Sequence, residues 1–435
     1  MDINEIIGIQ SKTVSAIYDS YKKTGDAKPD RRYLGASLVG HECERYLWYY
    51  FRDACKQNID GRIYRLFATG ELEEKRLGND LVSIGCEVHV CNENGEQFAL
   101  SALGGHLSGH MDGCALGIPE ATKTWHVLEF KTHNAKSFAH LVKNGVKKSK
   151  PQHYAQMMIY MHLAEMKRAL YLARNKDTDA LYSERIRWDN RESEDLIDKA
   201  RRIITSPSPP ERIAEKGDFF KCRWCDANSI CWGPTSSQDP VFPVASISCR
   251  QCCHATPVVE NSDGGMWKCE KRGDYIPIQN LCRYHLILPG MITCAEPVDY
   301  IKSGIVEESI KFVSGESHEW YHGSFGFSSE ELLGLPRSVV EDKIVNEAKQ
   351  AFNVSVRLSL LDKYSLSSPP NSTVTWTGNK ENAIAAWKSM YGDDLVSLDI
   401  IDYEDNQDCT IVEVCDNRIA ILWKNTMKAE FRASL

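Results

Sequence analysis

Residues 104–131 read GGHLSGHMDGCALGIPEATKTWHVLEFK, and they place an Asp and a Glu-x-Lys on what the pattern predicts are two adjacent strands. In residues 124–133, TWHVLEFKTH, the apolar side chains fall on both parities, the mark of a strand covered on both faces. The two-residue period of a strand then sends Val127, Glu129 and Lys131 to one side. A carboxylate and an ammonium in so apolar a strand are costly unless something compensates both, and a divalent cation beside Glu129 is the natural compensator. Asp112, in GHMDG, is the obvious second carboxylate, at a glycine-flanked bend that lets backbone and ligand come close. Two carboxylates leave coordination positions for a phosphate oxygen and a water, which Lys131 can orient or deprotonate. The pattern points to phosphodiester hydrolysis. A buried ion pair or a solvated edge strand is the plain alternative.

Upstream, residues 63–82 carry a helical pattern in which Leu77 and Leu81 share a face with Glu74, turning that acid inward. Glu71 and Glu73 are near enough to compete for the same place. Downstream, Pro151 suits the first turn of a helix on which Gln156 and Tyr160 lie one turn apart. The order Gly70-x-x-x-Glu74, GHMDG, Glu129-Phe130-Lys131, Gln156-x-x-x-Tyr160 resembles the motif series of the PD-(D/E)XK nucleases in their RecB-like branch, over about residues 40–232. The resemblance implies an α/β fold with a restriction-endonuclease-like mixed sheet flanked by helices. It implies a metal-dependent DNA nuclease in which Glu74, Asp112 and Glu129 hold Mg²⁺ or Mn²⁺, Lys131 positions water, and Gln156 and Tyr160 line the site. The fuller expectation is an exonuclease or DNA-end-processing enzyme of recombination or repair, of phage or prophage type, acting on single strands or ends. Many relatives with an iron–sulfur cluster carry His where this chain has Glu74.

With 42% hydrophobic and 26% charged residues the 435-residue chain has an ordinary globular composition and room for two to four domains. Its formal net charge of −8 means that any DNA-binding surface is a local basic groove. Lys136, Lys143, Lys147, Lys148 and Lys150 form the densest basic stretch, between the Glu129 strand and the Gln156 helix, where a DNA backbone would pass. A solvated face is the alternative. Neither an export signal nor an apolar run of membrane-spanning length is evident, so a cytoplasmic protein without a membrane partner is expected.

Sixteen cysteines in such a chain argue for metal or cluster ligation over disulfides. Cys222, Cys225 and Cys231 are spaced C-x2-C-x5-C and lack a fourth thiolate. By resemblance to AddB-like and CRISPR-adaptation nucleases the fourth is Cys43, the set holding a [4Fe–4S] cluster that ties together the two ends of the nuclease domain. Zinc on the same thiolates is the rival. After a Pro/Ser-rich linker, Cys249-x2-Cys252 and Cys282-x2-His285 flank Cys269 in a small-zinc-module pattern. Cys249, Cys252, Cys269 and Cys282 are the expected Zn²⁺ ligands, with His285 the first substitute and His254 or Cys253 behind it. The other thiols, Cys55, Cys86, Cys91, Cys114, Cys294, Cys409 and Cys415, read as core residues.

The expected division is a nuclease domain over 1–234, a linker over 235–246, a zinc module over 247–292 and a small α/β domain over 295–435. The last mixes helical segments (328–352 and 382–391) with strand-like runs VSVRLSL, STVTWTG, TIVEVCD and IAILWK. Its acidic stretch YGDDLVSLDIIDYEDNQD suggests a protein partner or a solvated surface rather than nucleic acid. A non-catalytic iron–sulfur/zinc DNA-binding protein, or a redox-sensing scaffold, is the alternative reading of the whole.

Overall fold

The computed structural model describes residues 11–29, 31–55, 59–260, 262–273, 275–276, 282, 284–303, 307–315, 317–352, 400–405, 409–414, 418–423 and 428–433. The chain divides into two compact units, Met1–Val354 and Ser355–Leu435. The first begins with α1 (Lys12–Asp26), β1 (Leu34–Gly35), α2 (Ala36–Val39), α3 (Glu44–Phe51) and α4 (Gly61–Ser83). Strands β2 (Glu87–His89), β3 (Ala99–Ala102), β4 (Leu107–His110), β5 (Gly113–Leu116) and β6 (His126–His133) follow. Next come α5 (Ala135–Ser149), α6 (Pro151–Leu163), β7 (Arg168–Asn175), β8 (Leu181–Arg187), α7 (Asn190–Thr205) and α8 (Asn228–Trp232).

The first unit is built on a five-stranded mixed sheet of order β2-β5-β6-β7-β8, flanked by helices. Only β6 and β7 run parallel; the other pairs are antiparallel. Parallel neighbours need a crossover, which α5 and α6 supply. One face of the sheet is apolar: Leu128 and Phe130 of β6, with Leu170 and Leu172 of β7, pack on Leu77 and Leu81 of α4. Burying each such side chain stabilises the fold by about 1.5–3 kcal/mol. Helix α4 starts where the Asp60 carboxylate accepts from the Ile63 amide at 2.9 Å, an N-cap. The opposite face of β6 carries Glu129 and Lys131 and lies under α6, so the two-residue period holds.

The cysteine-rich segment belongs to this same unit. It contributes β9 (Ala255–Pro257), β10 (Trp267–Cys269) and β11 (Tyr275–Ile276) as a small antiparallel sheet. Trp267 stacks on Phe51 of α3, with ring centroids 5.7 Å apart, and the Arg52 guanidinium lies 5.2 Å from the Trp267 ring. Arg52 donates to the Arg250 carbonyl, and Arg250 donates to the carbonyls of Arg31 and Phe51. Gly104 and Gly105 pass so near residues 258 and 263 that a Cβ would lie within 2.1 Å of Val258 O and 2.4 Å of Asp263 O. This docking carries the first compact unit past the expected boundaries at 234 and 295, to residue 354.

Residues 296–323 form an antiparallel sheet absent from the sequence reading: β12 (Glu296–Ser303), β13 (Glu307–Ser314) and β14 (His318–Gly323). The single helix expected over 328–352 is broken into α9 (Ser329–Gly334), α10 (Arg337–Val340) and α11 (Lys343–Phe352). Pro336 causes the first break, since the residue before a proline is pushed out of helical conformation and Leu335 is extended. In the second unit, β15 (Ile400–Asp405), β16 (Cys409–Val414), β17 (Arg418–Trp423) and β18 (Lys428–Ala433) form an antiparallel meander. TIVEVCD and IAILWK supply its central strands, and part of the acidic stretch is β15. VSVRLSL, STVTWTG, the 382–391 helix and Cys415 lie outside the described residues. Among the described residues no helix is long and apolar enough to cross a membrane.

Candidate active site

The register puts Gly113 of β5 opposite Leu128 of β6, which brings Asp112 alongside Glu129 and Lys131. Asp112 Oδ2 accepts from the Phe130 amide at 2.7 Å, so the carboxylate is pinned to the neighbouring strand. Gly113 has φ +148°, and a Cβ there would meet His89 O at 2.5 Å; only glycine lets the chain turn here. Glu129 is fully buried. Its Oε1 faces the Lys131 ammonium in a close ion pair, while its Oε2 has no hydrogen-bond partner among the described residues. Lys131 Nζ also donates to the Phe130 carbonyl at 3.0 Å and stands 4.0 Å from Asp112 Oδ2.

Of the three candidate acids on α4, geometry separates one. Glu73 pairs with Arg174 at 2.9 Å, and exposed Glu71 lies 4.0 Å from Lys28. Glu74 is half-buried and interacts electrostatically with Asp112 and Lys131. Burial first, then the Asp112 charge, pushes the Glu74 carboxyl up to about 7 against the pull of Lys131. Burial likewise pushes Glu129 up to about 7, although Lys131 opposes it. Burial lowers Lys131, but the Glu129 and Asp112 charges outweigh it and hold the ammonium protonated. Excess carboxylate is therefore crowded around one cation.

On α6, Gln156 Nε2 donates to the Tyr160 hydroxyl at 3.2 Å, and Tyr160 donates to the His110 carbonyl at 2.9 Å. Gly109 makes room, since a Cβ there would lie 2.6 Å from the Tyr160 oxygen. Tyr160 thus ties the Asp112 bend to α6. Burial pushes its hydroxyl pKa up, so it stays a neutral donor.

Beside Lys131 opens a groove of about 630 Å³ that also meets His133, Lys150 and His153. His133 Nε2 and His153 Nδ1 each lie 2.9 Å from the Tyr171 hydroxyl, and Tyr171 stands opposite Glu129 in the β6–β7 ladder. Burial and the adjoining lysines hold His133 down to about 4 and His153 to about 3, so both are neutral hydrogen-bonding groups. These residues were not singled out from sequence, although a signal existed. His133 is two residues beyond Lys131 on the same strand face, and His153 is three before Gln156 on the same helix face. The predicted basic stretch forms α5 and its C-terminal edge. Lys150 reaches the groove and donates to Ser137 Oγ, Lys147 is paired with Glu192, and Lys136, Lys143 and Lys148 are exposed.

Cys43 caps α3, accepting from the Tyr46 amide at 3.4 Å. It lies within electrostatic reach of Cys222, Cys225 and Cys231, so residues about 180 positions apart converge. Burial pushes the Cys43, Cys222 and Cys225 thiols up. Cys249, Cys252, Cys269 and Cys282 line a cavity of about 10 Å³, on the scale of one small occupant. The Cys253 thiol, hydrogen-bonded to Cys252, draws the Cys252 thiol downward in pKa. His285 also lines that cavity, yet both its ring nitrogens are engaged: Nδ1 with Ser329 Oγ at 2.8 Å and Nε2 with Ser248 O at 2.9 Å. His254 Nε2 faces Glu308 at 3.2 Å. Of the thiols expected in the core, Cys55, Cys86 and Cys114 are buried and Cys294 half-buried, but Cys91 is exposed because it follows the short edge strand β2. Among the described residues no three His, Cys, Asp or Glu side chains are already drawn into a metal-holding group. The unpartnered Glu129 oxygen and the thiol-lined cavity are the features that suit a cation.

No known family model and no curated protein matches the chain. Among solved structures it is similar to SSO0001, at 14% identity over 52% of this chain and 100% of that one, with a TM-score of 0.33. It is also similar to LHK-Exo in complex with dAMP, at 16% identity over 39% of this chain and 85% of that one, TM-score 0.30. The alkaline exonuclease LHK-Exo from Laribacter hongkongensis aligns at 14% identity over 42% and 90%, TM-score 0.28. At such values the functional reading rests on the chain's own residues.

Proposed function

We propose that this protein is a metal-dependent DNA nuclease of the PD-(D/E)XK type, an exonuclease or end-processing enzyme. The observation that carries the reading is Glu129, a fully buried carboxylate with an unpartnered oxygen, beside Asp112, Glu74 and a single ammonium. A buried charge in this state is expensive, and a divalent cation removes the cost. Glu74, Asp112 and Glu129 would hold one or two Mg²⁺ or Mn²⁺ ions. When bound, such an ion neutralises charge on a phosphate oxygen and acidifies coordinated water. Lys131 orients the attacking water and offsets charge on the scissile phosphate. Tyr160, with Gln156 behind it, holds the Asp112 bend in place. Lys150 and the exposed lysines of α5 steer the DNA backbone without reading bases.

Two further parts complete the proposal. Cys43, Cys222, Cys225 and Cys231 hold a [4Fe–4S] cluster that clips α3 to the chain after α7, supported by the convergence of the four thiols. Cys249, Cys252, Cys269 and Cys282 hold a structural Zn²⁺, supported by their common cavity. The setting is cytoplasmic, in recombination or repair, with the acidic C-terminal unit offered to a protein partner.

The test is cleavage of end-labelled linear single- and double-stranded DNA beside a closed circle, with Mg²⁺, with Mn²⁺ and with chelator. Metal-dependent loss of the linear substrates with the circle spared is expected. DNA binding without any cutting would instead favour a non-catalytic scaffold.

A further inference from the structure

We infer that residues 219–224, FFKCRW, form a stacking platform for unpaired bases of a nucleic-acid strand continuing out of the Lys131 groove. The inference rests on the nucleic-acid-processing reading above. Among the described residues Trp224 and Phe220 are the most exposed large aromatics, at 85% and 69%. Such rings are ordinarily covered, and here they stand on a well-held loop. The Cys222 and Arg223 amides both donate to the Phe219 carbonyl at 2.8 Å, and Asn228 Nδ2 donates to the Gly217 and Cys222 carbonyls. Phe219 braces Phe220, with centroids 4.6 Å apart. The loop backbone is held and Phe220 is braced, which lowers the ordering cost of binding.

Charge and position favour a nucleic-acid strand over a protein partner. Cations alternate with the rings: Lys221 Nζ lies 5.7 Å from the Phe220 centroid, and Arg223 is exposed beside Trp224. Lys221 also forms an ion pair with Glu42, among the described residues the one acidic side chain lining the Lys131 groove. That pair does two things. It cancels the charge that would repel a phosphate at this end of the groove, and it fixes the aromatic loop to the groove's rim. A strand with its phosphates at Lys131 and Lys150 therefore meets ring faces next. Bases of any sequence stack on such faces while neighbouring cations take the backbone.

The test uses the full-length protein in chelator, so that nothing is cut, and reads anisotropy of a fluorescent oligo-dT and of an equally long strand lacking bases. Phe220→Ala with Trp224→Ala is expected to weaken oligo-dT binding about tenfold or more. The base-free strand should bind wild type and variant alike. Metal content and Tm should be unchanged, and Phe220→Tyr with Trp224→Phe should restore affinity. Undiminished oligo-dT binding by the alanine variant overturns the platform, as does an equal loss for both strands. Undiminished binding with loss of self-association, read by sedimentation, reassigns the loop to a protein contact. Cleavage by wild type is scored separately. Base-dependent binding without cutting keeps the platform and sinks the nuclease, whereas cutting with an indifferent alanine variant sinks the platform alone.

Discussion

The Glu129 site and the Cys249–Cys282 cavity are both buried and polar, and they differ in what their polar atoms are doing. Around Glu129 an oxygen has no partner, carboxylates outnumber cations, and two acids are pushed up to about 7. Around the cysteines most polar atoms are bonded, the exceptions among the described residues including Trp267 Nε1 and the facing His254 Nε2 and Glu308 Oε2. His285 is bonded through both nitrogens, His322 through its own to Ile287 N and Phe327 O, and Arg250 and Gln251 tie the loop to the backbone near α3. A site crowded with uncompensated carboxylates has charge for a ligand to relieve; one whose histidines and arginine are largely bonded to the backbone holds elements together. The contrast separates a place for chemistry from a place for architecture.

The sharpest way to break that contrast is Lys131→Ala, expected to lower metal-dependent cleavage on the order of 10³-fold while circular dichroism shows a retained fold. Unchanged turnover would move the chemistry elsewhere. On the architectural side, Cys249→Ser with Cys282→Ser should remove zinc by elemental analysis and lower Tm by about 10 °C or more, since a structural zinc contributes several kcal/mol. A zinc-free variant melting like wild type would remove the clip.

The pH dependence sharpens the comparison further. With Glu129 and Glu74 at about 7 in the metal-free fold against an ordinary 4.5, the folded chain holds more protons than the unfolded one between those values. Their contribution to stability is whole below about 4.5 and lost as pH rises through about 7, on the order of 3 kcal/mol for Glu129. Metal-free Tm should therefore fall across that window, and Mg²⁺ should restore more at pH 7.5 than at 5.5. Equal rescue at both would mean that the cation does not bind these carboxylates. The smallest effect is expected from His285→Gln: intact zinc content and a loss of about 1 kcal/mol in urea unfolding, as for one or two buried hydrogen bonds. Loss of zinc there would restore His285 as a ligand.

Much of the site was legible because its spacing is local. Glu129 and Lys131 share a face by the period of a strand, Gln156 and Tyr160 by that of a helix, and Gly113 marks the turn that Asp112 needs. What escaped was set by partners distant in the chain. That Arg174 takes up Glu73, leaving Glu74 as the acid beside Asp112, is one such case. His285 has ligand spacing, but Ser329, 44 residues on, occupies its Nδ1. No local pattern marks Tyr171; the crossover sets it opposite Glu129, with a histidine from β6 and one from α6 on its hydroxyl.

By itself the sequence determined the strand carrying Glu129 and Lys131, the helices on either side and the grouping of the cysteines, since periodicity and short spacings are properties of adjacent residues. Tertiary structure decided that Arg174 takes up Glu73, which buried oxygen has no partner among the described residues, and that the cysteine-rich segment docks on α3. These are outcomes of long-range packing. Burial and electrostatic compensation depend on every element that closes over a residue, and no local pattern encodes them.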